Sequence, residues 1–139
     1  MKVFVDTNIL LDVLMRRRPF YAAAAQLWTR AETARVRASV SALSLSNVYD
    51  IVRKLAGKRR AAEALRLLRD VFDVTTVDRQ IVDQAIDSDI DDFEDAVQYF
   101  CALRARARYL VTRDPKGFPG EGPTPISAEE FIGLIQTRT

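Results

Sequence analysis

Short apolar runs alternate with longer amphipathic stretches along the chain. Runs of β-type residues lie at positions 3–5, 36–40, 74–77 and 109–112, and a shorter one lies near Ile126. The stretches between them carry apolar residues every three to four positions, which is the period of a helix packed on one face. Strands that alternate with helices are typical of parallel βα units. The pattern therefore predicts an α/β fold with a central parallel sheet.

Polar residues and a glycine mark where several of the helices begin and end. Ser41 or Ser44 can cap a helix that stops at Gly57, and residues 59 to about 71 form the second helix of a hairpin. Asp78 is expected to cap a short helix in the same way. These signals leave no room for a linker, so we expect a single domain over residues 1–139.

Composition excludes several classes of protein. No stretch approaches the roughly 20 uncharged apolar residues of a membrane span, and the apolar run after Lys2 is too short for a signal peptide. We therefore expect a cytoplasmic protein with no membrane segment. The lone Cys101 lies in an apolar helical run, where burial is far more common than reactivity. The chain has no histidine, so any metal should be a hard cation held by oxygen, such as magnesium or manganese.

Acidic residues follow two of the predicted strands. Asp6 comes directly after the first run, Asp114 follows the run at 109–112, and Asp92 and Asp95 open the helix before that run. The carboxyl ends of parallel strands share one edge of a sheet, so these acids are expected to converge there. Converging carboxylates repel one another unless a cation or a shared proton offsets their charge. The arrangement indicates a divalent-metal site.

Each acid also has a simpler explanation. Asp6 would serve as an N-cap, Asp114 before Pro115 as a turn residue, and one or two acids near a helix N-terminus are favoured by the helix dipole. The dipole does not readily explain Asp92 and Asp95, because residues three apart share a helix face and like charges there are mildly destabilising. The combination therefore carries more weight than any single residue.

Charge is distributed unevenly along the chain. Residues 87–95 hold six acids and no base, and the remainder carries 21 basic against 13 acidic side chains, a net of +8. The basic residues cluster at 16–18, at 53–60 and at 104–108. Each cluster alone suits a solvated helix end. An acidic site in a basic surface nevertheless favours a metal-dependent enzyme that acts on a polyanion.

Three motifs in this order resemble those of the PIN-domain nucleases, and most closely the VapC-type toxins of prokaryotic toxin–antitoxin pairs. The motifs are Val-Asp-Thr-Asn-Ile-Leu-Leu-Asp at 5–12, Asp-Phe-Glu-Asp-Ala at 92–96 and Leu-Val-Thr-Arg-Asp at 110–114. The resemblance implies a PIN-like three-layer α/β/α sandwich with a parallel sheet of about five strands. It also implies a Mg²⁺ or Mn²⁺ site, hydrolysis of RNA phosphodiester bonds and a small antitoxin partner. Together with the apolar helical hairpin, it predicts a homodimer.

The resemblance also assigns roles to individual residues. The catalytic and metal-binding acids would be Asp6, Asp95 and Asp114, with Asp92 as an additional ligand. Their supporting neighbours would be Asn8 and Thr112, and the candidate RNA contacts are Arg113, Arg16 and Arg17.

One position departs from the family pattern. The family usually has a glutamate in the first two turns of the helix after the second strand, and Asn47 stands there instead. An amide oxygen can still bind a hard cation but adds no negative charge, so metal affinity should fall. Asp50 lies one turn further on and is a possible substitute.

Three other functions compete with the nuclease. A haloacid-dehalogenase-like phosphatase needs a second aspartate two residues after Asp6, where this chain has Asn8. A response-regulator receiver needs an acidic pair at the first strand and a phosphoacceptor aspartate after a middle strand, and neither is evident. The stronger alternative is a PIN-like module that binds RNA or protein with weakened or lost catalysis, and Asn47 is its best support.

Overall fold

In the computed structural model, which describes residues 1–136, five strands alternate with seven helices. In chain order these elements are β1 (Lys2–Val5), α1 (Thr7–Leu14), α2 (Tyr21–Glu32), β2 (Arg37–Ser41), α3 (Ala42–Ala56), α4 (Lys58–Val71), β3 (Asp73–Thr75), α5 (Arg79–Ile86), α6 (Phe93–Arg104), β4 (Tyr109–Val111), β5 (Thr124–Ile126) and α7 (Ala128–Gln136). The predicted α/β class and the number of strands are confirmed.

The strands form one parallel sheet in the order β3-β2-β1-β4-β5. The central strand β1 pairs with β4 in the register Val5↔Val111, and the chain continues this pairing when the Asp6 amide donates to the Val111 carbonyl at 2.9 Å. Because all five strands point the same way, the residues that follow β1, β2 and β4 meet at one edge. This carboxyl edge carries the acids singled out in the sequence.

Helices cover both faces of the sheet, which makes three layers. One face packs Val3, Val5 and Val40 against α1, α2, α3, α4 and α7. The other face packs Phe4 and Leu110 against α5 and α6. Alternation of side chains along each strand divides the two cores, since neighbouring residues of a strand point to opposite faces.

The apolar runs and capping residues of the sequence predicted the ends of most helices and strands to within two residues. Ser41 rather than Ser44 caps α3, because its hydroxyl accepts from the Ser44 amide at 3.1 Å. Asp78 caps α5 by accepting from the Ile81 amide at 3.2 Å. The third strand lies at Asp73–Thr75 and ends before the predicted 74–77 run does, because Val77 packs into the core beneath α5. None of the described helices is long and apolar enough to cross a membrane.

Candidate active site

Three separate segments orient the Asp6 carboxylate. Asp6 caps α1, and its Oδ1 accepts from the Thr7 amide at 2.8 Å and from Gln98 Nε2 at 3.0 Å. Its Oδ2 accepts from Thr112 Oγ1 at 2.9 Å. The capping role considered in the sequence is therefore real, and it coexists with a carboxylate aimed by residues from α6 and the end of β4. Thr112 supports Asp6 as expected.

A buried polar network lies beneath Asp6. Gln98 is only 2% exposed, its Nε2 donates to Ser44 Oγ at 2.9 Å, and its Oε1 accepts from the Ser41 hydroxyl. The hydroxyls of Ser44 and Thr7 are 2.7 Å apart and share a hydrogen bond. Sequence reasoning missed Gln98. Its signal was a polar residue on an apolar helix, three positions after Asp95 and hence on the same face.

Asp95 and Asp114 face each other across Gly117. A Cβ added to Gly117 would lie 3.2 Å from Asp114 Oδ2 and 3.3 Å from Asp95 Oδ2. Asp95 lies in the first turn of α6, whereas Asp114 follows β4 and donates its amide to Thr112 Oγ1 at 3.2 Å. Thr112 therefore contacts both Asp6 and Asp114. Asp6, Asp95 and Asp114 thus lie at the same carboxyl edge of the sheet.

The pKa of Asp95 reports the crowding of negative charge. Burial and the neighbouring carboxylates of Asp92, Asp6, Asp114 and Glu94, in that order, raise it from 3.8 to about 6. Repulsion of this kind is relieved when a cation or a proton enters the cluster. The acids thus form one electrostatic unit.

Asp92 has a different position from the one expected. It precedes α6 as the N-cap, and its Oδ1 accepts from the Asp95 amide at 2.9 Å. Asp92 therefore lies just before the helix rather than on its face, because a cap residue lies outside the helix. It still lies beside Asp95, and among the neighbouring carboxylates it raises the pKa of Asp95 most.

A cavity of about 330 Å³ opens beside Asp6 and Asp95. Residues from α1, α3 and α6 line it: Asp6, Thr7, Asn8, Leu11, Leu43, Asn47, Asp50, Ile51, Glu94, Asp95 and Gln98. The cavity brings Asn8 and Asn47 together with Asp6 and Asp95, and it also contains Asp50. Glu94 is exposed at the rim of this cavity and adds to its negative charge.

Arg113 does not project freely at the edge. Its Nε donates to Asp12 Oδ2 at 3.0 Å, a second nitrogen donates to Asp12 Oδ1, and its guanidinium lies 4.0 Å from the centre of the Phe20 ring. Arg113 is thus held in an internal ion pair, and its contact with RNA phosphate stays a prediction. Arg16 and Arg17 follow the far end of α1, which is about 12 Å long at 1.5 Å per residue, and so lie away from Asp6.

The donor chemistry at this edge fits a hard divalent cation. The candidate donors are the carboxylate oxygens of Asp6, Asp95 and Asp114 and the amide oxygen of Asn47. As the side chains stand, residues 1–136 bring no three carboxylates close enough to hold one ion together. Mg²⁺ is commonly bound by one or two carboxylates and keeps several waters, so a Mg²⁺ site does not require three carboxylates. The four-acid ligand set stays a prediction.

Known proteins similar to this chain include a ribonuclease and toxins of toxin–antitoxin complexes. The chain is 24% identical over 135 residues to ribonuclease VapC1 of Aquifex aeolicus strain VF5, covering 94% of this chain and 92% of that protein. A toxin–antitoxin complex from Klebsiella pneumoniae superposes with a TM-score of 0.68 at 22% identity, over 91% of this chain and 97% of that one. VapBC2 from Rickettsia felis, solved with a DNA fragment from its promoter, has the same TM-score at 16% identity, over 91% and 98%.

A third solved structure is VapC20 of Mycobacterium tuberculosis, described as a toxin that cleaves the sarcin–ricin loop. Its TM-score is 0.61 at 20% identity, over 86% of this chain and 91% of that one. The fold resemblance stated from the motifs is therefore confirmed. A family model for the PIN domain matches residues 2–116, which include Asp6, Asp95 and Asp114. Because this match spans most of the chain, the protein belongs to the PIN-domain family.

Proposed function

We propose that this protein is a metal-dependent endoribonuclease that hydrolyses RNA phosphodiester bonds. The observation that carries the proposal is the meeting of Asp6, Asp95 and Asp114, from three distant segments, at one edge of the sheet. Such a concentration of negative charge is costly without a cation. The name ribonuclease given to the Aquifex relative supports the same chemistry.

Mg²⁺ or Mn²⁺ bound here would activate water for attack on the phosphorus and screen the phosphate charge. Asp6 and Asp95 would be its ligands, with Asp92 and Asp114 completing the set. Gln98 and Thr112 hold the Asp6 carboxylate in a fixed direction, so little side-chain entropy is lost when an ion binds. Asp114, which lies beside Gly117 near Asp95, would hold the attacking water or a second ion.

Cleavage of a mixed labelled RNA pool tests this proposal. The purified protein should cut RNA with Mg²⁺ or Mn²⁺, and chelator or Asp6→Asn should abolish the cutting. Asp70→Asn is the matched control, because this exposed carboxylate lies on α4 and pairs with the neighbouring Arg69. No cleavage under any metal condition by folded protein, or equal loss in the two variants, would contradict the proposal.

We further propose that the protein acts in the cytoplasm as the toxin of a toxin–antitoxin pair. The structural relatives from Klebsiella pneumoniae and Rickettsia felis were solved as toxin–antitoxin assemblies, which supports a small antitoxin partner. A homodimer is also proposed, because the α3–α4 hairpin leaves Leu55 68% and Leu67 50% exposed. Light scattering after size exclusion should give twice the chain mass, and a strictly monomeric mass at high concentration would refute the dimer.

Asn47 favours a second candidate function, an RNA- or protein-binding module with weakened or lost catalysis. Its amide lines the acidic cavity where the family usually has a glutamate, so the site has one negative charge fewer. Asp50, one turn away in the same cavity, is the only nearby acid of α3 among the described residues that could compensate. Asn47→Glu should strengthen Mn²⁺ binding severalfold if the missing charge limits the site. Failure of the unmodified protein to bind any ion at millimolar Mg²⁺ or Mn²⁺ would favour the binding module.

A further inference from the structure

A polar cleft of about 670 Å³ extends from the amino edge of the sheet along β3 to the segment after it, and its lining shares no described residue with that of the acidic cavity. The first residues of β1, β2 and β3 contribute Lys2, Arg37 and Asp73 to its lining. Arg104 and Arg106 reach it from the end of α6. The cleft thus unites part of the 104–108 basic cluster with two cations that are distant in sequence.

The cleft is open because helices cover this half of the sheet incompletely. The apolar core on this face contains Phe4 from β1 and Leu110 from β4, but within residues 1–136 it contains no residue of β2 or β3. The lining on those strands is polar instead, with Ser39 on β2 and Thr75 on β3. A sheet face that carries hydroxyls and charges in place of a core offers hydrogen-bonding groups to a ligand.

The cleft contains more cationic side chains than acidic ones to pair with them. Arg37 Nε lies 3.1 Å from Asp73 Oδ2, and Arg104 lies 2.8 Å from Asp78 Oδ2. The Arg104 hydrogen bond also lowers the pKa of Asp78, which keeps that carboxylate charged. Both acids are therefore occupied by partners within the cleft.

Two of the four cations in the cleft are left after these two ion pairs are counted. In the described part of the chain, the side chains of Lys2 and Arg106 form no ion pair. The lining residues thus carry a net charge of +2 from four cations and two carboxylates. The acidic cavity at the other edge, with Asp6, Asp95 and their neighbours, has the opposite sign.

We propose that this cleft binds a phosphate group, carried either by a mononucleotide or by a strand of RNA. Lys2 and Arg106 supply the uncompensated charge, and guanidinium groups with neighbouring hydroxyls match the donors that phosphate oxygens accept. The volume lies within the roughly 300–1,000 Å³ of ordinary small-molecule sites. Because the linings of this cleft and of the acidic cavity share no described residue, binding in the cleft can be measured without RNA cleavage by the protein.

Titration followed by amide NMR shifts tests the site. Inorganic phosphate, 5′-AMP and a short single-stranded RNA are each added to the full chain in EDTA, so that cleavage does not compete. We expect saturable shifts at residues 37–39, 73–76 and 104–107. The test variant is Lys2→Gln with Arg106→Asn, because Arg106 has φ of 58° and asparagine tolerates that conformation.

The matched control is Arg60→Gln with Arg66→Gln, which removes two exposed cations from α4 without touching the cleft. The test variant should lose the shifts and the control should keep them. For the RNA arm, losing two phosphate contacts should reduce the slope of log affinity against log salt by about 1.4, at roughly 0.7 per contact for single strands.

Saturation by AMP alone would identify a nucleotide as the ligand, and saturation by RNA alone would identify a strand. Either result supports the site. No saturable shift with any probe, or equal losses in the test and control variants, would overturn it. Since binding rather than cleavage is measured, failure here leaves the proposed nuclease activity untouched, and absence of cleavage leaves this result standing.

Discussion

Arg113 forms a forked ion pair with Asp12, a residue 101 positions earlier that is completely buried. Asp12 also raises the pKa of the Arg113 guanidinium. The pair ties α1 to the segment after β4, and that segment carries Thr112 and Asp114 on either side of Arg113. The carboxylates of Asp6 and Asp114 thus lie on two pieces of backbone that this pair clamps together.

Breaking the pair should destabilise the protein strongly. In Arg113→Ala the Asp12 carboxylate is left buried without a partner, which costs up to about 3–5 kcal/mol of unfolding free energy. Arg113→Lys should lose less, because it keeps the charge but not the forked geometry. Urea unfolding measures both. Arg69→Ala is the control, since its exposed pair with Asp70 should contribute about 0–1 kcal/mol. Equal losses for Arg113→Ala and Arg69→Ala would contradict the role given to Asp12.

Gly117 should be intolerant of a side chain for a local reason. A Cβ there would press on the Asp95 and Asp114 carboxylates at 3.2–3.3 Å, whereas one at Gly120 would meet nothing within 4 Å. The two carboxylates would have to shift slightly, so Gly117→Ala should lower Mn²⁺ affinity and RNA cleavage by about threefold, the equivalent of roughly 0.65 kcal/mol. Gly120→Ala should leave both unchanged. Calorimetric Mn²⁺ titration checks the prediction, and unaltered binding in Gly117→Ala would refute it.

Gln98 should matter for stability as well as for the site. Gln98→Leu removes the amide that bonds the buried hydroxyls of Ser41 and Ser44. Because these hydroxyls stay bonded to each other, the expected loss is about 0.5–1.5 kcal/mol per lost bond. It also removes one of the three donors to Asp6. Thermal and urea unfolding should show the loss, while Gln26→Leu on the exposed face of α2 should stay within about 0.5 kcal/mol. A neutral Gln98→Leu would show that the network contributes little.

The metal-free protein should become less stable as pH rises through the range of Asp95 titration. The folded-state pKa of Asp95, about 6, exceeds its ordinary value of 3.8, so between these values the folded state binds more protons than the unfolded state. The free energy of unfolding of the metal-free protein therefore falls from pH 4 to pH 6 as Asp95 loses its proton, and this loss is complete above pH 6. Mg²⁺ added at pH 7.5 should restore the lost stability.

Melting temperatures of the wild type and Asp95→Asn, measured in EDTA over a range of pH, test whether stability falls as pH rises. The advantage of Asp95→Asn over the wild type should grow as pH rises towards 6 and then level off. A constant difference across pH 4–8 would contradict the raised pKa of Asp95. Asp70→Asn serves again as the control, because its carboxylate is exposed on α4.

The sequence by itself determined the elements and the position of the acids. Apolar runs placed the strands, the capping aspartate at 78 marked a helix start, and Asp6 and Asp114 stood out because they follow strands. These inferences succeeded because strand alternation, helical period and capping depend on residues only a few positions apart. The parallel direction of the strands then brings their ends to one edge without further information.

Only the tertiary structure decided what the polar side chains contact. The Gln98 amide reaches Asp6 across 92 positions, and the Arg113 guanidinium pairs with the buried Asp12 across 101 positions. Lys2 and Arg106 meet at one cleft for the same reason. Hydrogen bonds and ion pairs between distant residues depend on how helices pack against the sheet, and no periodicity within a single segment records that packing.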